Sequence, residues 1–283
     1  MREKAQRFDP RQDMHGNTYE IFHYLDIKTR HMEAHCHDFY EVFCFIDGEV
    51  DYWVEGSVYH LHPGDLLLIN PMELHKPIPL SDTENYERIV LWLNKGYLAA
   101  LGGGLDSCFG GDEPQKSKIL RPTALQRTEL QQLLGRLIRE NNSGRFGSEM
   151  CAYGLLLQVM TTLCRISLES APSAESYRTT TLISDVLAYI GSHYNEELTL
   201  ERLASHFYVS KYHLSHEFSR AVGTGVHRYI TMKRLSIAHG LLGDGMSPGQ
   251  VGAMCGYSDY TAFFRAFKAE YGISPRECVG SEG

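Results

Sequence analysis

Leu203-Ala204, then Val209-Ser210-Lys211-Tyr212-His213-Leu214, then Phe218 and Gly223 form a pattern that the last third of the chain contains twice. The second copy consists of Val251-Gly252, then Tyr257-Ser258-Asp259-Tyr260, then Phe263, Phe267 and Gly272. Ala204 lies 48 residues before Gly252, and Phe218 lies 49 residues before Phe267, so the second copy has one extra residue near its turn. One copy would be a weak signal, but two copies in near register predict a repeated helix-turn-helix unit.

Each copy has the features of a helix pair that binds DNA. The small residue, Ala204 or Gly252, lets two helices cross closely. Ser210 and Asp259 are residue types that cap a helix N-terminus, where free amides and a positive dipole end are exposed. Such a helix fits the major groove with its first turns at the base edges. The pattern therefore predicts two recognition helices.

A single helix is predicted between the two copies. Apolar residues recur at helical spacing from Val226 to Leu242, at Tyr229, Ile230, Leu235, Ala238, Leu241 and Leu242. At about 1.5 Å per residue this helix is roughly 25 Å long. That length could set the two recognition helices about 34 Å apart, one turn of DNA, on one face.

At these residues, over roughly the last hundred, the chain resembles the AraC/XylS family of bacterial transcription regulators. The matching segments include Lys233-Arg234-Leu235-Ser236-Ile237-Ala238 and the ending Phe267-Lys268, Tyr271-Gly272-Ile273-Ser274-Pro275. The resemblance implies that base contacts come from Tyr212, Ser215 and His216 in the first unit and from Tyr260, Thr261 and Arg265 in the second. With the caps and the adjacent lysines, the predicted DNA-binding residues are Ser210, Lys211, Tyr212, Ser215, His216, Asp259, Tyr260, Thr261, Arg265 and Lys268.

The second unit departs from the family pattern at two positions. Gly252 stands where Ala is usual, and Tyr257 stands where Phe is usual. A glycine lowers helix stability by about 1 kcal/mol relative to alanine. A softer second unit is therefore expected.

A protein-binding helical bundle is the alternative for this segment. From Thr179 onward there are nine Lys and Arg residues against ten Asp and Glu residues, unlike the basic balance of most DNA binders. The placement of charge nevertheless favours DNA, because cations cluster on or beside the proposed surface, at Lys211, Arg220, Arg228, Lys233, Arg234, Arg265 and Lys268. Arg234 is an exception, for which a packing or ion-pair role in the linking helix is equally open.

The composition of the whole chain limits its class. The 283 residues allow two domains, and the net charge of −8 argues against general adhesion to nucleic acid or anionic membranes. The seven cysteines include no C-x-x-C pair, which suits a reducing cytosol. The polar start, Met1 to Pro10, lacks the apolar core of a signal peptide, and the sequence predicts no run that approaches the length of a membrane span. A cytoplasmic protein is predicted.

The front half has a β pattern. From Tyr19 to about Asn94, short apolar runs alternate with turn signals such as Asp47-Gly48 and Pro63-Gly64, which predicts a sandwich or barrel. In the stretch His35-Cys36-His37-Asp38-Phe39-Tyr40-Glu41, alternation along a strand places His35, His37 and Glu41 on one face with Phe39, Phe43 and Phe45. His75 could come from a neighbouring strand.

These residues resemble the two cupin motifs, which sensor domains of AraC-type regulators frequently carry. The first motif, H-x-H followed by Glu41 and Gly48, matches well, whereas the second, around Pro63-Gly64-Asp65 and His75, is looser. The predicted effector-binding residues are His35, His37, Glu41, Phe43, Trp53 and His75. Four of these, His35, His37, Glu41 and His75, could instead hold a divalent transition metal such as iron, manganese, nickel or zinc. Alternatively, these four residues could form hydrogen bonds with one another or with a small polar effector.

Two amphipathic helices are predicted next. One has a stripe at Leu130, Leu133, Leu134, Leu137 and Ile138, and the other at Met150, Tyr153, Leu156, Leu157, Met160, Leu163 and Cys164. The stripes could pack on the barrel, or, as the resemblance implies, cover a homodimer interface. The predicted division is a cupin-like sensing domain (1–118), a helical pair for dimerisation (119–168), a linker (169–181) and a DNA-binding domain (182–283).

The sequence thus predicts an α+β multidomain protein, with an N-terminal cupin-like β-barrel, a helical hairpin and an all-α domain carrying two helix-turn-helix motifs. Its predicted function is a transcription regulator that binds promoter or operator DNA and a small-molecule effector, for which a sugar is one candidate. A metal-dependent cupin enzyme and a metal-sensing regulator are the alternatives. The weak second motif and the appended DNA-binding repeat argue against the enzyme.

Overall fold

The structure is a computed structural model, which describes residues 14–26, 32, 34–80, 85–110, 118–170, 176–178, 181–243 and 245–279. The segment from Met1 to Pro10, on which the prediction about a signal peptide rests, lies outside the described residues.

Strands of the N-terminal half form two antiparallel sheets. Their bounds are Tyr19–Asp26 (β1), Tyr40–Asp47 (β2), Val50–Val54 (β3), Ser57–Leu61 (β4), Leu66–Ile69 (β5), His75–Pro79 (β6), Tyr86–Leu93 (β7), Ile119–Leu120 (β8) and Ser176–Arg178 (β9). The first sheet has the order β1-β7-β2-β5-β8, and the second has the order β6-β3-β4-β9. The predicted β architecture of the front half is confirmed.

An aromatic core fills the space between the two sheets. Its larger members are Tyr24, Phe39, Phe43, Phe45, Tyr52, Tyr86 and Trp92. The turn after β2 depends on Gly48, whose φ is +123° and whose Cβ, if present, would lie 2.7 Å from the carbonyl oxygen of Asn85. A side chain at this position would therefore block the close approach of β2 to the segment that leads into β7.

The outer face of the first sheet is covered by helices. Their bounds are Lys95–Leu101 (α1), Ala124–Asn141 (α2) and Ser148–Glu169 (α3), and a short 3-10 helix spans Leu105–Phe109. The predicted stripe of α2 is buried in one cluster with Val42, Leu68 and Leu91 of the sheet and with Leu156, Met160 and Leu163 of α3. Both helices therefore pack on the barrel. Met150 and Tyr153 of the second predicted stripe are 74% and 41% exposed.

Helix α3 corrects one expectation. With 22 residues and a mean hydropathy of 1.4, it is long and apolar enough to cross a membrane by length and composition. Packing against the sheet and α2 accounts for its apolar face, because Leu156, Val159, Met160 and Leu163 are fully buried there.

Helices make up the C-terminal third. Their bounds are Thr181–His193 (α4), Leu200–His206 (α5), Lys211–Val222 (α6), Val226–Gly243 (α7), Pro248–Met254 (α8), Tyr260–Tyr271 (α9) and Pro275–Cys278 (α10). α5 and α6 form the first helix-turn-helix unit, and α8 and α9 form the second. The linking helix α7 ends one residue beyond the predicted Leu242. Two helix-turn-helix units joined by one helix are thus confirmed.

Part of the predicted linker is structured. Ser176–Arg178 forms strand β9, which pairs with β4 in the second sheet, and α3 continues to Glu169. The segment between the barrel and the DNA-binding helices therefore adds an edge strand to the barrel. Local composition did not reveal this, because the pairing partner lies more than a hundred residues away.

Candidate functional site

The first recognition helix, α6, presents a polar face. Ser210 caps it by accepting a hydrogen bond from the backbone N–H of His213 at 3.1 Å, as predicted. Leu214, Phe218 and Val222 are fully buried on the inner side of the helix. The outer side carries Lys211, Tyr212 and His216, which are exposed, and Ser215, which is half-buried.

Exposed aromatic groups mark this surface. Tyr212 is 82% exposed, and its ring is nearly parallel to that of His216, with centroids 6.1 Å apart. Tyr208, in the turn before α6, is 96% exposed and adopts a positive φ of 55°. Tyrosines in such positions are free to meet a nucleic acid, and Tyr208 is a candidate contact that the sequence analysis did not select.

The second recognition helix, α9, has the same construction. Asp259 caps it by accepting from the N–H of Ala262 at 2.9 Å, as predicted. Phe263 and Phe267 are fully buried. The predicted contacts on the opposite side are all exposed, and they are Tyr260, Thr261, Arg265 and Lys268.

The small residue of the second unit lies where its two helices pack closely. A Cβ on Gly252 would lie 3.0 Å from Cδ1 of Phe263. The two helices of this unit therefore cross as closely as the sequence pattern predicted, and an alanine would gain helix propensity while crowding the Phe263 ring.

A second constellation lies inside the barrel. Nε2 of His37 lies 3.2 Å from a carboxylate oxygen of Glu41, and the same oxygen accepts a hydrogen bond from the indole N–H of Trp92 at 2.8 Å. The His75 ring centroid lies 4.8 Å from that of His37. His37, Glu41 and His75 are 6%, 5% and 0% exposed.

Backbone carbonyls orient the two buried imidazoles. Nδ1 of His37 lies 3.0 Å from the carbonyl of Phe39, and Nδ1 of His75 lies 2.8 Å from the carbonyl of Glu73. Because a carbonyl can only accept, each Nδ1 is placed to donate, and Nε2 of each ring faces the interior. Nε2 of His75 is buried and has no hydrogen-bond partner among the described residues.

Burial and charge act differently on these groups. Burial acts to raise the pKa of Glu41, but the hydrogen bond from His37 and the positive potential of His37, His75 and His35 outweigh it and hold the pKa at about 2. Burial, followed by the charges of His35 and His37, keeps the pKa of His75 well below its usual value. The site therefore combines an ionised carboxylate with a neutral imidazole.

Such a donor set fits a divalent metal. Ligand atoms of His37, Glu41 and His75 all lie within 4.8 Å of one another. Two imidazole nitrogens and a carboxylate suit a transition metal, and each histidine is oriented through its other nitrogen in the way metal ligands usually are. The orphaned Nε2 of His75 points to the same chemistry.

The structure revises the predicted barrel set. His35 lies outside the group of close ligand atoms, although its ring is 4.3 Å from that of His75. It precedes β2 and joins the barrel through an isolated bridge to His75, so strand alternation does not place it as expected. Phe43 is buried in the aromatic core beside Tyr52, with ring centroids 4.9 Å apart.

Trp53 requires a correction. Predicted as an effector contact, it is fully buried among the helices of the DNA-binding domain, in a cluster with Leu187, Phe218 and Tyr229. Its neighbour Tyr52 faces the barrel interior instead, where its ring is nearly parallel to that of His75 at 6.2 Å. Successive residues of a strand face opposite sides, so only one of the pair can line the site.

Two further residues at this site and at the domain interface were not predicted from the sequence. Trp92 lies opposite Glu41 in the register of β7 and β2, and no local motif marks it. Glu55, in the turn between β3 and β4, accepts hydrogen bonds from the Leu74 N–H at 2.9 Å, the Tyr229 hydroxyl at 3.1 Å and the Lys233 ammonium at 2.7 Å. The last two donors belong to α7, so Glu55 ties the barrel to the linking helix.

A cleft borders the barrel site at the same interface. Its volume is about 180 Å³, and its barrel wall includes His35, His37 and Asp38. Arg228 and Glu270 of the DNA-binding domain form part of the other wall. Anything bound here would touch both domains.

Two family models match the chain on either side of this interface. An AraC-like ligand binding domain matches residues 17–159, and a helix-turn-helix domain matches residues 203–279. The chain belongs to the AraC family of transcription regulators. The predicted resemblance is confirmed, and the enzyme alternative gives way to a regulator.

The chain is also similar to several individual proteins. The HTH-type transcriptional activator RhaS of Salmonella schwarzengrund is 25% identical over 248 residues, which cover 86% of each chain. The arabinose operon regulatory protein of Salmonella typhimurium is 27% identical over 226 residues, or 78% of this chain and 76% of that protein. A crystal structure of ToxT from Vibrio cholerae is 14% identical, with a TM-score of 0.37, over 93% of this chain and 98% of that chain.

Proposed function

We propose that this AraC-family regulator binds DNA through both recognition helices, and that an effector bound at the barrel site controls how those helices are presented. The observation that carries the proposal lies on strand β6. His75 faces the barrel site, and the next residue, Lys76, donates a hydrogen bond to the carbonyl of Val222 at the end of recognition helix α6 at 2.7 Å.

The adjacent strand β3 repeats this arrangement. Tyr52 stacks near His75, and Trp53 is buried among the DNA-binding helices. Tyr52 pairs with Pro77, and Trp53 pairs with Lys76, in the register of β3 and β6. A shift of either strand on effector binding therefore moves a side chain that contacts the DNA-binding domain. This gives the effector a direct physical route to α6 and α7.

The expected effector is a small polar molecule, with a sugar as one candidate. Imidazole and carboxylate groups can exchange hydrogen bonds with hydroxyls, and the aromatic walls can pack against an apolar face. The cleft lined by His35 and His37 offers space beside this site.

A metal-sensing regulator is the second candidate. Two imidazoles whose Nε2 atoms face the interior, beside one ionised carboxylate, favour it specifically. His37, Glu41 and His75 would hold the ion. The residues themselves would bind the ion and keep their orientation through the Phe39 and Glu73 carbonyls.

The exposed side of α3 supports a homodimer. Met150 and Tyr153 remain exposed beside a helix pair that otherwise packs on the barrel. Two copies joined here would bring four recognition helices to one stretch of DNA. As a regulator of bacterial genes, the protein would act in the cytoplasm.

Gel shifts on the DNA upstream of its own gene test the main proposal. The full chain should form a specific complex whose affinity changes when one effector candidate is added, either an aldose or Zn²⁺, Ni²⁺, Mn²⁺ or Fe²⁺. Elemental analysis of the purified protein separates the two effector classes. No specific complex with DNA would contradict the first part, and a complex insensitive to every candidate would contradict the second.

A matched pair of variants locates the sensor. His37→Ala with Glu41→Gln removes the buried pair, whereas His60→Ala with Asp51→Asn removes a partly exposed histidine–carboxylate pair of the same barrel, 2.7 Å apart. Only the first double variant should lose the effector response. Equal losses in both would place the sensor elsewhere.

A further inference from the structure

Two separate cores support the two recognition helices. α4, α5, α6 and the first half of α7 pack around Leu214, Phe218 and Tyr229. The second half of α7 packs with α8, α9 and α10 around Phe263 and Phe267. A single shared helix would leave the second core free to bend or rotate against the first. Contacts additional to the shared helix restrict their relative position, and the Arg228–Glu270 ion pair is one of them.

Arg234 lies in α7 at the boundary between the two cores. Its Nε donates to the carbonyl of Tyr194 at 2.7 Å, and its Nη2 donates to the carbonyl of Glu196 at 2.6 Å. Both carbonyls follow α4, whose last residue is His193. Carbonyls at a helix C-terminus lack partners within the helix, so the guanidinium satisfies two groups at the exit of α4.

The second unit contacts the same place. The guanidinium carbon of Arg234 lies 5.7 Å from the ring centroid of Tyr257, in the turn between α8 and α9. Gly256, in that turn, has a φ of +79°, and a Cβ there would lie 2.8 Å from the Asn195 carbonyl oxygen and 3.0 Å from Nη2 of Arg234. The turn can close on the segment after α4 only because position 256 has no side chain.

We propose that Arg234 is a positioning residue which fixes the spacing and rotation between the two recognition helices, and so sets the separation of the two DNA half-sequences that the protein accepts. The guanidinium joins the end of α4, the linking helix and the turn of the second unit. This inference rests on the proposed engagement of DNA by both helices. The sequence leaves Arg234 open between a packing role and an ion pair. The proposed role is one of packing and positioning, with no ion pair and no contact to DNA.

Arginine is suited to this position and lysine is not. Its planar group donates to two diverging carbonyls while its face meets an aromatic ring, whereas an ammonium is a single compact charge. Arg234→Lys therefore keeps the charge but loses the three-way contact. Arg234→Gln removes the charge as well. Similar behaviour of the two variants would separate geometry from electrostatic attraction to DNA.

The experiment uses the full chain and duplexes that it selects from a random-sequence pool. Engagement by both helices predicts two separated parts in the half-site bound by each copy of the chain, and therefore four parts for a dimer. Duplexes with one or two base pairs inserted between the parts then measure tolerance to spacing, because each base pair turns and shifts the second part. A duplex with only one part measures binding that needs no fixed spacing.

Wild-type protein should lose about tenfold or more in affinity on each insertion, since the second helix can no longer reach its part. Arg234→Lys and Arg234→Gln should bind the selected duplex about tenfold more weakly than wild type. An insertion should lower the affinity of these variants by less than a further factor of about three. Both should bind the one-part duplex like wild type. Arg145→Ala, which removes an arginine 70% exposed in the α2–α3 loop, should match wild type on every duplex.

Other outcomes overturn the inference. A spacing penalty in the Arg234 variants equal to that of wild type would show that other contacts fix the helices. An equal loss on every duplex, including the one-part duplex, would show that Arg234 only supports folding, and thermal unfolding of the variants would agree. A selected half-site with a single part for each copy would instead refute engagement by both helices, which distinguishes failure of the proposed function from failure of this inference.

Discussion

The ammonium of Lys76 lies 2.7 Å from the carbonyl oxygen of Val222, the last residue of recognition helix α6. A positive charge at this end of a helix is favoured by the helix dipole and by the unpaired carbonyls. Gly223, which caps α6 with a φ of +84°, leaves room for the lysine, since a Cβ there would collide with Nζ. Strand β6 of the sensor domain is thereby joined to the first recognition helix.

Lys76→Met should loosen this junction. Lys76 is 7% exposed, so the substitution keeps an apolar stem in place but leaves the Val222 carbonyl without its donor. A loss of about 1–3 kcal/mol in the free energy of unfolding is expected. Denaturant unfolding measures it, and amide hydrogen exchange should rise at the C-terminal end of α6. Lys95→Met, in the first turn of α1, serves as the control, and equal destabilisation by both would contradict a specific role for Lys76.

Glu55 and Lys233 should be energetically coupled. Their side chains are 28% and 17% exposed, and the ammonium lies 2.7 Å from the carboxylate. Burial acts to lower the pKa of Lys233, but the charge and hydrogen bond of Glu55 outweigh it and raise the pKa. A double-mutant cycle of Glu55→Gln and Lys233→Met should give a coupling of about 1–2 kcal/mol.

The exposed pair Glu201 and Lys211 provides the comparison. Its charged atoms lie at a similar distance, 2.8 Å, but both side chains are more than half exposed. The same cycle there should give no coupling above experimental error, because water screens the charges. Equal coupling in both pairs would mean that the domain interface adds nothing to the Glu55 contact.

Local patterns predicted the DNA-binding half well and the domain interface not at all. Ser210 and Asp259 cap their helices as predicted, because a cap depends on residues within one turn. Trp53 was assigned to the barrel interior because alternation along a strand does not tell which face the helices cover. Lys76 and Glu55 find partners 146 and 178 residues away. No periodicity in one sequence reports contacts at that separation.

The barrel site was predicted only in part for the same reason. His37 and Glu41 lie four residues apart in one motif, and the motif placed them together. Trp92, the other partner of Glu41, reaches it through the pairing of β7 with β2. The register of two strands so far apart in sequence is set by the whole sheet.

Glu41→Gln should weaken metal binding while leaving the fold intact. The amide oxygen can still accept from the Trp92 indole, so the hydrogen bond at 2.8 Å is kept while the negative charge is lost. Calorimetric titration with Zn²⁺ should show a loss of about ten- to a hundredfold in affinity relative to wild type. Unfolding curves of the metal-free proteins should nearly coincide. Unchanged affinity for Zn²⁺ would contradict the metal-sensing candidate, without bearing on binding of an organic effector.

Arg265→Ala should relax one position of the DNA sequence that is bound. Arg265 is exposed in the second turn of α9, where a guanidinium can grip a guanine edge through two hydrogen bonds. Specific binding should weaken by about 1–3 kcal/mol. Selection from a random pool should then show reduced preference at one base pair only. A variant that binds and selects like wild type would remove Arg265 from the predicted contacts.

The segment from about Thr179 to Gly283 should fold alone, bind the same DNA half-site and remain monomeric. It keeps both cores of the DNA-binding domain and the Arg234 contacts, but it lacks α2 and α3. It also lacks Trp53 and Leu74, whose burial among the helices contributes to stability in the full chain. We therefore expect a lower free energy of unfolding than for the same domain in the intact protein.

If the full chain is a dimer, this fragment should bind a paired site about 10²- to 10⁴-fold more weakly, since it loses the effective concentration of a tethered second copy. It should also respond to no effector, because the residues that link the barrel site to α6 are absent. Light scattering and titrations against one and two half-sites measure both properties. A dimeric fragment would place the dimer interface in the DNA-binding domain. A fragment that binds paired sites as tightly as the full chain would show that the barrel half does not bring a second copy to the DNA.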